Sequence, residues 1–354
     1  MPDWRSSMEQ TFEYYVVDPG TWKDVRLLNN VKSCSINRDY EADTLGSASI
    51  DTEEMLGECY IRAYLITNQN GVREKHPLGT FLVQTPSSSF DGKTESTTMD
   101  AYTPLIELKE KNPALGYSVL KGTNVMDTAY RITRENVRAP VVKPSCDTKL
   151  YSDFVADPND TWMSFTSDLM ESASYIFELD ELGRVLFAPK QDIKSMQPVW
   201  TFDDSNSSIL YPDITREHDL FDIPNVVEVV YSDDTHSYYA KAVNDDPTSD
   251  TSTVSRGREI MHRVTNPGFS GAPSQEQIEE YAKQLLSELS TIDYTISYSH
   301  GYCPVRIGDC VRISVKLDGK KPTDIKARVI SQNIKCEPGC PVSEKAVYTA
   351  KLWR

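Results

Sequence analysis

No apolar stretch in the 354 residues approaches the roughly twenty that a membrane-spanning helix needs. The opening Met-Pro-Asp-Trp-Arg-Ser-Ser also lacks the basic start and apolar core of a secretory signal, so the expectation is a chain made and used without membrane export signals. The short motifs that carry catalytic mechanism are missing too. There is no Gly-x-Ser-x-Gly elbow, no His-Glu-x-x-His, no Walker A loop and no Gly-x-Gly-x-x-Gly. Positive charge is in deficit, with 37 Lys and Arg against 53 Asp and Glu and a formal net charge of −16. That balance argues against a surface that grips nucleic-acid phosphates, since such affinity comes largely from neutralisation by Lys and Arg. Cysteines number seven, odd and widely scattered, and read as reduced buried thiols rather than a disulfide framework.

What is present points to β-structure. Nineteen tyrosines and recurring Val/Ile/Thr/Tyr-rich runs favour strands, and the length favours two or three domains over one core. From Thr11 to Tyr102 strands alternate with turns: Phe12–Val17 ends at Asp18-Pro-Gly20, Val31–Asn37 alternates, and Tyr60–Ile66 runs to the hairpin turn Asn70-Gly71. Gly79–Gln84 should then pair with Glu95–Tyr102 across Asp91-Gly92. About six short strands at this spacing read as a small barrel or sandwich.

After Pro104 helical spacing takes over. A short helix is expected around Leu105, Ile106 and Leu108, a second from a Thr123 cap to about Val137, and a third from about Thr161 to Ser174. Tyr175–Leu179 and Arg184–Phe187 flank Asp180-Glu-Leu-Gly183 as a hairpin. The stretch from Gln197 to Ile260 holds the β-branched block Val226–Val230 and the alternating Tyr239–Val243, broken by Asn244-Asp-Asp-Pro. Ser274 and Gln277 have capping-box spacing ahead of an apolar stripe from Ile278 to Leu289. Strands return at Asp293–Ser299, Gly308–Val315, Ala327–Ile334 and Lys345–Trp353, with turns at Asp318-Gly319 and Glu337-Pro-Gly339. The hairpin pattern Leu82…Tyr102 is echoed by Val329…Lys351.

Few residues invite a chemical role. Glu259-Ile-Met-His262 has the spacing of half a di-iron site, but such sites draw on helices and a second copy. The pairs Asp203-Asp204, Asp233-Asp234 and Asp245-Asp246 sit in turn-like contexts without calcium-loop spacing. Cys303, Cys310, Cys336 and Cys340 gather near the end of the chain, where four thiolates could take zinc. Their Cys-x₆-Cys and Cys-x₃-Cys spacings are not those of the usual knuckles, so buried thiols are the plainer reading. No catalytic, cofactor-binding or metal residue is expected. The Ile278–Leu289 stripe is either a partner-binding face or the side that packs on its own barrel.

The order Asn225-x-Val-x-Val, Asn244-Asp-Asp-Pro, a Ser/Thr-rich loop and Arg256-Gly257 resembles the second barrel of the baseplate hub, or tail hub, proteins of tailed bacteriophages and related contractile injection systems. The helix and hairpin over 161–187, the helix at 274–290 and the strand opening Gly308-Asp-Cys-Val follow in that family's order. The loop Asn266–Pro273 and the turn Cys336–Cys340 have no counterpart in it. What the resemblance implies is a mainly β chain with an α+β middle domain: a first tail-tube-like β-barrel at 1–104, a small α+β domain at 105–195, and a second barrel at 196–354 with an inserted helix at about 274–290. It further implies a homotrimeric structural virion protein at the tail tip, without cofactor or membrane. The partners would be the tail tube or distal tail protein, the tape measure protein, and spike or fibre proteins, with DNA passing through the lumen unbound. A receptor- or carbohydrate-binding tail protein is the alternative, and a cell-wall-degrading tail enzyme a further one that the chain's end at Arg354 leaves little room for.

Overall fold

A computed structural model describes residues 2–90, 92–93, 95–218, 223–232, 236–267, 273–289, 291–316 and 323–351. Two compact units emerge: Met1–Ile214 with Tyr298–Lys345, and Thr215–Ser297 with Ala346–Arg354.

In the larger unit seven strands come first: β1 (Glu9–Asp18), β2 (Lys23–Leu28), β3 (Val31–Asp39), β4 (Gly46–Thr52), β5 (Tyr60–Gln69), β6 (Val72–Phe90) and β7 (Glu95–Tyr102). They pair antiparallel in the order β2-β1-β5-β6-β7-β4-β3. The expected strands and the Asn70-Gly71 turn are present, with Asn70 at φ 53° and Gly71 at φ 80° as a tight hairpin requires. Asp91 lies outside the described residues. The nineteen-residue β6 serves two ladders, facing β5 through Val72–Leu82 and β7 through Leu82–Phe90. A bulge at Pro77-Leu78-Gly79 lets it bend, which is where a proline that cannot donate to a ladder is tolerated. β2 and β4 escaped the sequence reading. In β4 the buried positions are Gly46, Ala48, Ile50 and Thr52, so its alternation is real but carried by small side chains.

The middle of this unit contains α1 (Ile106–Lys109), β8 (Ser118–Val119), α2 (Val125–Asn136), β9 (Phe154–Val155), α3 (Trp162–Glu171), β10 (Tyr175–Leu179) and β11 (Val185–Pro189). Leu105, Leu108, Met126, Ala129, Ile132, Phe165, Leu169, Phe177 and Val185 form their shared core. The helix expected after Thr123 is capped instead by Asn124, whose side chain accepts from Asp127 N at 2.8 Å. Asparagine at that position accepts the orphan N–H at least as well as threonine, and one residue of frame separates the two readings. α3 has a reciprocal capping box between Thr161 and Ser164.

The chain continues with β12 (Trp200–Asp203), then crosses into the smaller unit with β13 (Thr215–His218), β14 (Val226–Ser232), β15 (Ser237–Val243), α4 (Thr253–Arg256), β16 (Met261–Thr265) and α5 (Gln275–Leu289). β14 pairs antiparallel with β15 and parallel with β16. The apolar stripe of α5 lies on this sheet, with Ile278, Ala282 and Leu286 buried against Val227, Val229, Ala240 and Ala242. Of the two uses foreseen for that stripe, packing on its own sheet is the one observed. The capping box holds, with Ser274 N donating to Gln277 Oε1 at 2.8 Å and Gln277 N to Ser274 Oγ at 3.3 Å. The loop expected before Arg256 contains one helical turn, capped by Ser252 and closed by Gly257 at φ 62°.

β17 (Thr291–Gly301), β18 (Cys310–Val315), β19 (Thr323–Lys335) and β20 (Pro341–Lys351) complete the fold. β13 pairs with β17, while in the larger unit β18 pairs with β19 and, in parallel, with β12. The expected turn Asp318-Gly319 and the residue Trp353 lie outside the described residues. The architecture is mainly β, and among the described residues no sheet closes on itself. No described helix is long and apolar enough to cross a membrane.

Candidate functional site

Three contacts inside the larger unit tie together segments far apart in sequence. The first is a backbone seam: Ser35–Asp39 of β3 pairs antiparallel with Ser331–Lys335 of β19. Side chains reinforce it, Arg38 donating to Gln332 Oε1 at 3.1 Å and to Leu78 O, freed by the bulge, at 2.7 Å.

The second is the turn between β10 and β11. The Leu182 carbonyl accepts from Trp22 Nε1 at 2.8 Å, Thr80 Oγ1 at 2.9 Å and Arg62 Nη2 at 3.2 Å. Arg62 is 4% exposed and is also held by Asp24 at 2.8 Å. Gly183 has φ +76°, and a Cβ there would stand 2.7 Å from Thr80 Cβ, so the close approach demands glycine. Glu181 of the same turn forms an ion pair with Arg306. One four-residue turn thus grips both the first strands and the residues before β18.

The third is a buried polar network. Glu344 accepts from the Tyr298 hydroxyl and from Gln332 Nε2, both at 2.5 Å, and faces His300 Nε2 at 3.3 Å. His300 Nδ1 lies 2.7 Å from the Gly301 carbonyl, which can only accept, so that nitrogen carries the proton. Burial and the adjacent Glu344 carboxylate push the Tyr298 hydroxyl well above its usual range. Cys303 Sγ is 3.9 Å from His300 Nδ1, but burial raises its thiol as well. Both residues are closed to solvent, so this Cys/His pair is a piece of core rather than a nucleophile and its base.

The residues singled out by sequence fall as follows. Cys310 is buried on β18, Cys303 beside His300, and Cys336 across the seam from Cys34, with its N–H donating to Cys34 O at 2.9 Å. Cys340 is buried at the end of the turn that follows. All seven cysteines are free, and no group of three His, Cys, Asp or Glu among the described residues could hold a metal ion. Glu259 is ion-paired with Lys241 at 3.1 Å and His262 lies on β16, so the pair does not share a helix. Asp203 binds Ser205, and Asp246 binds Thr248 N at 2.8 Å and its hydroxyl at 2.7 Å, both turn roles. Asp233-Asp234 is outside the described residues. In the smaller unit Asn225 explains its place in the Asn-x-Val-x-Val pattern: its side chain accepts from Ile260 N at 2.6 Å and donates to Arg258 O at 2.9 Å, anchoring the start of β16 to that of β14.

These contacts hold strands together, and the strands leave ladder edges bare. The outer edge of β2 and the side of β6 over 84–90 facing away from β7 have no strand partner among the described residues. A mainly β, largely antiparallel chain with a helix and hairpin in its middle shares its fold with tail proteins. Over nearly its whole length it is similar to the tail protein from Neisseria meningitidis MC58, with a TM-score of 0.62, 14% identity, and 97% of this chain and 98% of that one covered. It is similar as well to the 43 kDa tail protein of prophage MuSo2 from Shewanella oneidensis, with a TM-score of 0.59, 9% identity, and 95% and 98% covered. A PdpA-VgrG complex from Francisella matches with a TM-score of 0.56 and 9% identity, over 97% of this chain and 58% of that one. At these identities the likeness is one of fold. No protein-family model and no curated protein matches the sequence.

Proposed function

We propose that this chain is a structural hub of a phage-type tail, present in three copies at the distal end of the tail tube, where it joins the tube to a spike or to the tape measure protein. The observation that carries the reading is the end-to-end match to two tail proteins, since coverage of 98% of each of those chains supports a likeness of the whole chain rather than of one local fold. In this reading residues 1–104 and 196–354 are two tube-like barrels flanking an α+β domain at 105–195. The open sheet and bare edges of the single chain close when copies meet, because a bare ladder edge is a template for pairing with another chain. Three chains with two barrels each match a six-fold tube, and the −16 charge lets DNA pass a lumen without adhering.

Light scattering behind a sizing column, over a wide concentration range, tests the assembly. The expected mass is three chains. A monomer at every concentration, alone and with purified tube protein, would refute the hub reading.

A further inference from the structure

A cavity of about 260 Å³ opens in the larger unit between the β10–β11 hairpin, the bulge of β6 and the residues before β18. Its volume is close to the about 300 Å³ at which small-molecule sites begin. Leu45, Phe81, Ile176, Leu179, Met196 and Ile307 supply an apolar wall. Set against it are two carboxyl groups, those of Glu178 on β10 and Asp309. Glu178 makes no side-chain hydrogen bond among the described residues, and Asp309 accepts only from Arg306 N, at 2.8 Å.

Three guanidinium groups line the same cavity, and none donates a side-chain hydrogen bond to Glu178 or Asp309, although the Arg328 Nε has no partner among the described residues. Arg306 is taken by Glu181, and Asp180 is held by Arg184 at 2.5 Å. Arg38 serves Leu78 O and Gln332, while Arg328 donates to Gln191 O and lies over the Tyr40 ring at 5.7 Å. The nearest charges around Glu178 include the Arg306 guanidinium and the carboxylates of Asp309, Glu181 and Asp180. Desolvation, with those carboxylates, lifts the Glu178 carboxyl above its ordinary range, and desolvation lifts Asp309 likewise. A half-buried carboxylate without a donor is costly unless a cation joins it.

We propose that this cavity binds a primary alkylammonium, its head between Glu178 and Asp309 and its chain along the apolar wall. A free amine and the lysine side chain of a neighbouring protein present the same chemistry. The proposal is independent of the hub reading and would survive its failure.

Calorimetry with n-hexylammonium, n-hexanol and hexanoate tests it, with Nα-acetyl-lysine methylamide as the lysine arm. Expected is saturable binding of hexylammonium, at least tenfold weaker or no binding by the alcohol and the acid, and a tenfold or greater loss in Glu178→Gln. Because the Glu178 side chain makes no hydrogen bond among the described residues, that variant should fold. Affinity should also fall as pH drops through the raised carboxyl range, since the ammonium stays charged there while its acceptors are neutralised. The lysine arm binding as tightly as hexylammonium, or more tightly, would assign the site to a protein side chain; weaker binding would assign it to a free amine. Absence of hexylammonium binding, equal binding of hexanol, or unchanged affinity in Glu178→Gln would overturn the proposal.

Discussion

Replacing Gly183 by alanine tests how tightly the β10–β11 turn is seated. Two costs are separable. A left-handed backbone with a Cβ costs about 1–2 kcal/mol, less about 0.4–1 kcal/mol returned by stiffening the unfolded chain. The second cost is contact: the new methyl would lie 2.7 Å from Thr80 Cβ, 3.1 Å from its hydroxyl and 3.3 Å from the Trp22 ring, none of them the far end of a flexible side chain. Such overpacking adds about 1–3 kcal/mol. Gly122 supplies the control, with φ +83° and nothing within 4 Å of its would-be Cβ. Gly122→Ala should therefore cost about 0–1.5 kcal/mol and Gly183→Ala about 1–4.5 kcal/mol, measured as shifts of the urea midpoint at constant slope. Trp22 should report locally, because displacing the turn removes its indole from Leu182 O and wets it, shifting emission to longer wavelength. Equal costs for the two variants, with no change in emission, would show that the turn does not rest on Thr80 and that the clamp as described is wrong.

Two further outcomes follow from burial. Arg62→Met should destabilise by about 1–3 kcal/mol, because it removes the buried guanidinium that bonds Asp24, Thr80 and the Leu182 carbonyl, while Asp24 keeps the Tyr64 hydroxyl and Leu182 keeps Trp22 and Thr80; Arg73→Met, which breaks the pair of a 67% exposed guanidinium with Glu13, should cost about 0–1 kcal/mol, and a smaller cost for Arg62→Met than for Arg73→Met in chemical denaturation would contradict the burial argument. Of seven thiols, four are buried, and the thiols of Cys34, Cys303 and Cys340 lie above the ordinary cysteine range, raised in Cys34 first by the Cys336 side chain and then by burial, and in the other two by burial. A disulfide reagent at pH 8 should accordingly modify at most three quickly in the native protein and all seven in denaturant. A native burst of seven would contradict the packing.

Much of the fold is legible because its signals are local. Val226–Val230, the Ser274/Gln277 box and the hairpin around Gly183 each state their structure within a few residues. β2 and β4 do not: exposed Val25 and Leu27 blur the inside face of one, and Gly46, Ala48 and Thr52 give the other too little apolar contrast. The seam and the clamp are harder still. Leu182 acts through its carbonyl, which every residue has, and Arg62 reads as an ordinary strand position until the fold places it beside Asp24. His300 and Glu344 lie on separate strands and meet only once β17 and β20 are neighbours, a juxtaposition no spacing rule contains. The cavity carboxyls Glu178 and Asp309 are likewise 131 positions apart in a chain with 53 acids, so nothing marks them out before folding.

The seam between β3 and β19 has a consequence for biosynthesis. Arg38 and Gln332 are 294 residues apart, so when the first strands leave the ribosome the partner of β3 does not yet exist. At about 5–20 residues per second that edge stays unpaired for roughly 15–60 s. During this interval the nascent chain offers neighbouring polysomes a ready strand template, and the polar Asn37, Arg38 and Asp39 at its end are the residues that make the offer a poor one. Completion of β19 then acts as a timer: the edge of β3 is closed only once the 294 residues that separate Arg38 from Gln332 have been made.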